Sequence, residues 1–337
     1  MRVALFNTKP YDRQYFAEAN AGYGHAIEFL EARLDETTVP LAHGFPAICA
    51  FVNDEIDAAL MRRLADGGTR LIALRSAGYN NVDLEAAERC GVAVVRVPAY
   101  SPFSVAEFTV GLLLALDRRI PRAWARVRDN NFSLDGLVGN DLNGRTVGVV
   151  GTGKIGALVA RAFRAGFGCR VLAADRQENA ELVGLGVEYV PVGRLLGEAD
   201  IITLHCPLTP QTHHLIDAAA LAQARPGVLV VNTSRGALID AEALIDGLKS
   251  GQVGGVALDV YEQEGDLFFE DLSNEIIQDD VFQRLLTFPN VLVTGHQAFF
   301  TREALTAIAE TTLANIAAFE AGAPLLNQVT FERGVVR

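Results

Sequence analysis

Between Thr146 and Asp175 the chain reads as an apolar run, a turn punctuated by glycine, a helix-forming stretch and a second apolar run closed by an acid. Thr146 to Val150 leads into Gly151-Thr152-Gly153-Lys154-Ile155-Gly156, and Val171-Leu172-Ala173-Ala174 ends at Asp175. In a dinucleotide-binding turn each glycine has a separate task. Gly151 allows the tight turn, Gly153 lets backbone amides approach a pyrophosphate, and Gly156 lets the helix pack closely on the strand. The helix N-terminus then faces the phosphates. Asp175, about twenty residues past the glycines, is placed to accept hydrogen bonds from ribose hydroxyls and to repel a 2′-phosphate, so the expected cofactor is NAD rather than NADP. Taken alone, the glycines would also fit an ordinary strand-to-helix turn beside a solvated Asp.

A chain of 337 residues, half of them hydrophobic, has enough length for two domains with separate cores. Apolar runs at Val3 to Phe6, Ala47 to Val52, Leu71 to Leu74 and Val92 to Val97 suggest a small parallel α/β layer. A long helix is expected from near Ser104, bent or interrupted at Pro121. Six further runs, at Thr146 to Val150, Arg170 to Ala174, Ile201 to His205, Val228 to Asn232, Gly255 to Leu258 and Val291 to Thr294, suit a full nucleotide domain. A last helical stretch, Arg302 to Ala321, is expected to return to the first domain. The expected fold is therefore α/β, with two Rossmann-like or flavodoxin-like doubly wound parallel-sheet domains and a cleft between them. Residues 1–100 plus 299–337 would form a discontinuous substrate domain and 101–298 the NAD-binding Rossmann domain.

The formal net charge of -12 offers no basic surface for nucleic acid, and no polybasic or lipidation signal points to a membrane. Any anionic substrate must meet a local cation. Cys49, Cys90, Cys169 and Cys206 are far apart without C-x-x-C pairing, which fits buried thiols in a reducing cytoplasm. Neither a signal peptide nor a membrane span is expected. His25, His43, His205, His213 and His214 lack metal-ligand spacing, and an adjacent pair such as His213-His214 points in opposing directions on most backbones. No metal is expected.

In an open parallel sheet, ligands lie beyond the carboxyl ends of the strands. After Val228 to Val231 comes Asn232-Thr233-Ser234-Arg235-Gly236, which sets a guanidinium at that edge. Arg235 is either an exposed loop residue or a bidentate clamp for a carboxylate. After Val256 to Leu258 comes Asp259-Val260-Tyr261-Glu262-Gln263-Glu264, and after Val291 to Thr294 comes Gly295-His296-Gln297. A lone histidine at a strand end often has a structural role. With an arginine and an acid on the same edge, beside a nicotinamide site, His296 becomes a candidate proton donor and Glu264 its orienter. Such a set suits reduction of a 2-keto acid: arginine holds the carboxylate and polarises the ketone, the nicotinamide supplies hydride, and histidine protonates the alkoxide.

With these residues in place, the chain resembles the D-isomer-specific 2-hydroxyacid dehydrogenases over its whole length, and within them the bacterial fermentative D-lactate dehydrogenases. The matching words are Arg75-Ser76-Ala77-Gly78-Tyr79-Asn80-Asn81-Val82-Asp83, Gly151 to Gly156, His205-Cys206-Pro207-Leu208-Thr209-Pro210, Asn232 to Asp240, Asp259-Val260-Tyr261, Leu267-Phe268-Phe269-Glu270-Asp271 and Thr294-Gly295-His296-Gln297-Ala298-Phe299. The resemblance implies Arg235 as substrate-binding, His296 as acid/base and Glu264 as its partner. It also implies cofactor contacts from Ile155, Gly156, Asp175, Cys206, Pro207, Thr212, Thr233, Ser234 and Asp259. Backbone amides around Ala77-Gly78 would meet the substrate carboxylate, with Arg75, Tyr100 and Phe299 lining a pocket suited to pyruvate. Dimers or tetramers are implied as well. Phe108 departs from the pattern, since many relatives carry His there, and its place near a helix start ties it to local packing rather than chemistry. Two alternatives stand beside this reading: a bulkier 2-keto acid as substrate, or a non-catalytic NADH-sensing binding protein built on the same fold.

Overall fold

The computed structural model describes residues 1–331; residues 332–337, the end of the second stretch expected for the substrate domain, lie outside the described residues. The chain divides into two compact units, Met1–Ser101 with Phe300–Arg337, and Pro102–Phe299.

In the first unit, β1 (Arg2–Leu5), β2 (Ala26–Phe29), β3 (Ala47–Ala50), β4 (Leu71–Leu74) and β5 (Ala93–Val95) are joined by a C-terminal strand, Gln328–Val329. Their order is C-terminal strand, β5, β4, β3, β1, β2. Every pairing is parallel except that of the C-terminal strand with β5. The parallel part follows the 2-1-3-4-5 order of flavodoxin-like sheets. Its central strands β3 and β4 are apolar because both faces are covered, whereas the edge strand β2 is half-exposed. Phe6, Ile48, Ile72 and Leu74 meet Leu60, Met61 and Leu64 in one core. The helix Arg302–Glu320, capped by the Thr301 side chain accepting from the Ala304 N–H, buries Ala309, Leu313 and Ile316 and packs beside the helix Pro10–Asn20.

In the second unit, β6 (Thr146–Val150), β7 (Arg170–Ala174), β8 (Glu188–Tyr189), β9 (Ile201–Leu204), β10 (Val228–Asn232), β11 (Val253–Leu258) and β12 (Val291–Val293) form an all-parallel sheet in the order β12-β11-β10-β9-β6-β7-β8. The winding reverses between β6 and β9, which is where doubly wound sheets open a crevice for ligands. Alternation along the strands divides the core. Val147, Val149, Val171, Ile201 and Val231 pack against Leu112, Leu113, Val159 and Phe163, while Val150, Leu172, Ile202, Val230 and Val256 pack against Leu195, Leu221 and Leu244 on the opposite face. Phe108 is half-buried against the first of these cores.

Two expectations need correction. The helix from Pro102 ends at Asp117 and a second, Ile120–Arg128, begins after Arg119, whose φ is 53°. The expected interruption is present but falls at Arg118 and Arg119; Pro121 sits in the first turn of the second helix, where its missing N–H costs nothing, so it opens that helix rather than breaking the first. The edge strand β2, the two-residue β8 and the C-terminal strand are additional to the apolar runs read from the sequence; β2 is half-exposed and carries Glu28, and the other two are too short to show a period.

Candidate active site

The glycine turn joins β6 to the helix Lys154–Arg161. Gly151 has φ 89°, and a Cβ on it would lie 2.6 Å from Cys206 N; a Cβ on Gly156 would lie 1.9 Å from Gly151 O. Both glycines are therefore demanded by the protein itself. At Gly153 a Cβ would meet no atom within 4 Å, so the protein itself does not demand glycine there and the position leaves the backbone open to a pyrophosphate. These residues fit a dinucleotide. Asp175, just beyond β7, accepts from Thr152 N at 2.5 Å, Thr152 Oγ1 at 3.0 Å and Arg176 N at 2.6 Å. Burial alone would push this carboxyl up, but those hydrogen bonds outweigh it and hold Asp175 below the usual carboxylate range. A fixed negative charge thus stands just beyond β7, able to accept from ribose hydroxyls.

Beyond β9, Cys206 is buried and its thiol is pushed up to about 11 by that burial, which keeps it protonated and inert as a nucleophile. Ser234 Oγ donates to Cys206 O at 2.9 Å, and the Thr233 hydroxyl meets that of Thr109 at 2.7 Å, so the loops after β9 and β10 are tied to their surroundings. The Thr212 hydroxyl donates to Pro207 O at 2.7 Å. Ile155 is half-buried in the first turn of the glycine-loop helix.

Arg235 leaves β10 in extended backbone, fixed by the fully buried Asn232, whose Nδ2 donates to Arg235 O at 2.8 Å and whose Oδ1 accepts from Ser234 N at 3.0 Å. Among the described residues the Arg235 guanidinium makes one hydrogen bond, to Ser234 O at 2.6 Å. The remaining donors suit a carboxylate fork.

His296 follows β12 with φ 53°, and its Nδ1 lies 2.7 Å from Glu264 Oε1. Glu264 is itself held, its Oε2 accepting from Tyr261 N at 2.9 Å. The carboxylate fixes one ring nitrogen and leaves Nε2 as the atom able to carry a proton outward. Asp259 sets the backbone: its carbonyl accepts from His296 N at 2.7 Å, Oδ1 from Thr294 Oγ1 at 2.5 Å and Gln297 N at 2.9 Å, and Oδ2 from Ala298 N at 2.8 Å. Burial pushes the Asp259 carboxyl up against these donors and prevails. The Phe269 and Phe299 rings stand 5.7 and 6.4 Å from the His296 ring.

Of the residues expected at strand ends, the structure brings His296 and Glu264 into contact and sets Arg235 after β10 of the same sheet, while the supports Asn232 and Thr294 were not anticipated. A polar residue closing an apolar strand, able to bond its own following loop, was the available signal.

In the first unit, the loop after β4 carries Arg75, Ala77 and Gly78. Ala77 O accepts from Arg96 Nη1 at 2.7 Å and Gly78 O from Ser76 Oγ at 2.8 Å. Among the described residues, the Ala77 and Gly78 N–H groups donate to no protein acceptor. Arg75 is buried, with Nη2 donating to Asn7 O at 2.8 Å, Nε 3.4 Å from Asp12 Oδ1, and the guanidinium 4.6 Å over the Phe51 ring. Tyr100 is half-buried just before the end of the unit's first stretch.

The adjacent histidines do not diverge. His214 has φ 50°, which turns its ring back so that the two rings stack at 3.9 Å between centroids, each Nε2 facing the Glu262 carboxylate. Among the described residues no helix is long and apolar enough to cross a membrane.

Residues 110–298 match the family model for the NAD binding domain of the D-isomer specific 2-hydroxyacid dehydrogenases. A 2-hydroxyacid dehydrogenase homolog of Schizosaccharomyces pombe is 54% identical over 319 residues, covering 95% of this chain and 96% of its own. The D-lactate dehydrogenase of Escherichia coli strain K12 is 51% identical over 329 residues, 98% of this chain and all of its own. The solved structure of the pyruvate reductase of Chlamydomonas reinhardtii superposes with a TM-score of 0.92 at 45% identity, over 97% of this chain and 98% of that one. Sheet order, glycine turn and relatives agree: the chain belongs to the D-isomer specific 2-hydroxyacid dehydrogenases and is an NAD-dependent enzyme of that family.

Proposed function

We propose that the protein is a D-lactate dehydrogenase, reversibly reducing pyruvate to D-lactate with NADH. The observation that carries this reading is the 2.7 Å His296–Glu264 contact at the strand edge that also presents Arg235 and the glycine turn. Bound NADH supplies the hydride. Arg235 holds the keto-acid carboxylate and polarises the ketone, His296 Nε2 delivers the proton to the developing alkoxide, and Glu264 stabilises the imidazolium that serves as donor. The amides of Ala77 and Gly78 are assigned to the substrate carboxylate, with Arg75, Tyr100 and Phe299 as the residues that limit substrate size. Gly151, Gly153, Ile155, Gly156, Asp175, Cys206, Pro207, Thr212, Thr233, Ser234 and Asp259 are assigned to NAD. The pyruvate reductase and D-lactate dehydrogenase among the relatives support a small keto acid as substrate.

The test is NADH oxidation by purified protein across pyruvate, 2-ketobutyrate and phenylpyruvate, with chiral analysis of the product. Fastest turnover on pyruvate with D-lactate as product is expected. Preference for phenylpyruvate would replace the substrate assignment, and an L-product would overturn the stereochemical one.

We further propose that the enzyme assembles as a homo-oligomer through residues 120–138 of the second unit. The helix Ile120–Arg128 buries no residue, and its Ile120, Trp124 and Val127 form one apolar stripe followed by exposed Phe132, Leu134 and Val138. Arg126 Nη1 donates to Asp135 O at 2.7 Å, holding the following loop in place.

A further inference from the structure

The stacked pair His213 and His214, together with Glu262, has no task in hydride transfer. We propose that these three residues form a binding site for one divalent transition-metal ion of the zinc class. Their ligand atoms already gather within the reach of a single ion. With metal–nitrogen and metal–oxygen bonds of about 2.0–2.1 Å, two ligand atoms of a tetrahedral site stand about 3.3–3.4 Å apart. Here His213 Nε2 lies 3.4 Å from Glu262 Oε1 and His214 Nε2 lies 2.9 Å from Glu262 Oε2, and one ligand atom from each residue lies within 4.8 Å of the others. To share an ion the two rings, now stacked at 3.9 Å between centroids, must swing apart by more than an ångström, which their partly exposed positions allow.

The backbone supports the arrangement independently. Adjacent side chains on regular backbone diverge; these converge because His214 is held at φ 50°, a conformation uncommon outside glycine. Two main-chain bonds pin it, His214 N to Ala237 O at 2.8 Å and Ile216 N to Leu238 O at 3.0 Å. Opposite, Gly236 lets the Glu262 segment come close: a Cβ there would fall 2.2 Å from Glu262 N. Strained backbone and a glycine-only approach thus bring two imidazoles and a carboxylate to one point. Two nitrogens and one oxygen favour zinc, copper or nickel over magnesium or calcium, which seek an oxygen shell. Glu262 stands two residues before Glu264, and His214 bonds the chain at Ala237, two residues after Arg235, so an ion there would cross-link the segments that carry the proposed clamp and the histidine partner.

The test is isothermal titration of chelator-treated, full-length protein with Zn²⁺, repeated on His213→Ala and Glu262→Gln, with circular dichroism to show that each variant is folded. One Zn²⁺ per chain is expected, with each variant binding weaker by roughly tenfold or more, the least that removing a support of a metal site costs, and Mg²⁺ failing to compete. No stoichiometric uptake by the wild type, or a smaller weakening in either variant, would overturn the site. Because the readout is binding without substrate, the result stands apart from the keto-acid assignment.

Discussion

Holding a non-glycine residue in left-handed backbone costs of order 1 kcal/mol or more, and His296 is held there between the Asp259 carbonyl and the Glu264 carboxylate. The ring is thus oriented before any substrate binds, which is what proton delivery in a transition state requires. His296→Ala should cut turnover by roughly a hundredfold to ten-thousandfold and leave NADH affinity unchanged, measured by stopped-flow turnover and fluorescence titration; near-normal turnover would remove His296 from the chemistry. Arg235→Lys keeps the charge but loses the planar fork. With charge-assisted hydrogen bonds worth about 1.5–3 kcal/mol, kcat/KM for pyruvate should fall roughly tenfold to a hundredfold, and an unchanged value would mean the substrate is held elsewhere.

The strand ends place these groups, and Asp259 shows how. Its two carboxylate oxygens take three donors from the turn after β12, so one buried side chain locks the histidine loop to β11. Asparagine offers a single acceptor oxygen and would turn an NH₂ toward a backbone N–H. Leaving such a buried donor unsatisfied costs about 1–3 kcal/mol, so Asp259→Asn should lower the melting temperature and reduce kcat together; a variant with wild-type stability and rate would show that the lock is dispensable. This coupling explains what the sequence made legible. The glycine turn, Asp175 and the strand-end positions of Arg235, Glu264 and His296 follow from local pattern, because topology alone carries them to one sheet edge. The Asn232 and Asp259 networks join residues through side-chain geometry that no periodicity encodes. The left-handed turn at His214 escaped for the same reason: a rule about average backbone fails where one dihedral is exceptional. The short edge strands β2 and β8 escaped because pairing, not composition, makes them strands.

For the entire protein, the net charge of -12 opposes the approach of an anionic keto acid, which makes a local guanidinium necessary and long-range steering weak. The same surface carries the apolar stripe proposed above for assembly. Trp124 is 62% exposed, and Phe132, Leu134 and Val138 are 71%, 79% and 87% exposed. Contiguous exposed apolar surface of this kind marks an interaction site, and the loop carrying it is fastened by Arg126 rather than loose. Within one chain Trp124 meets the Arg128 guanidinium at 4.8 Å, a contact worth about 0.5–1 kcal/mol at an exposed site. Trp124→Glu therefore costs the single chain little. In an oligomer the same change buries a carboxylate in an apolar contact, where an unpaired charge is strongly disfavoured. Sedimentation velocity should find the wild type as a dimer or larger and Trp124→Glu shifted toward monomer at equal concentration, with circular dichroism unchanged; a monomeric wild type, or a variant that assembles as tightly, would assign the stripe to some other partner.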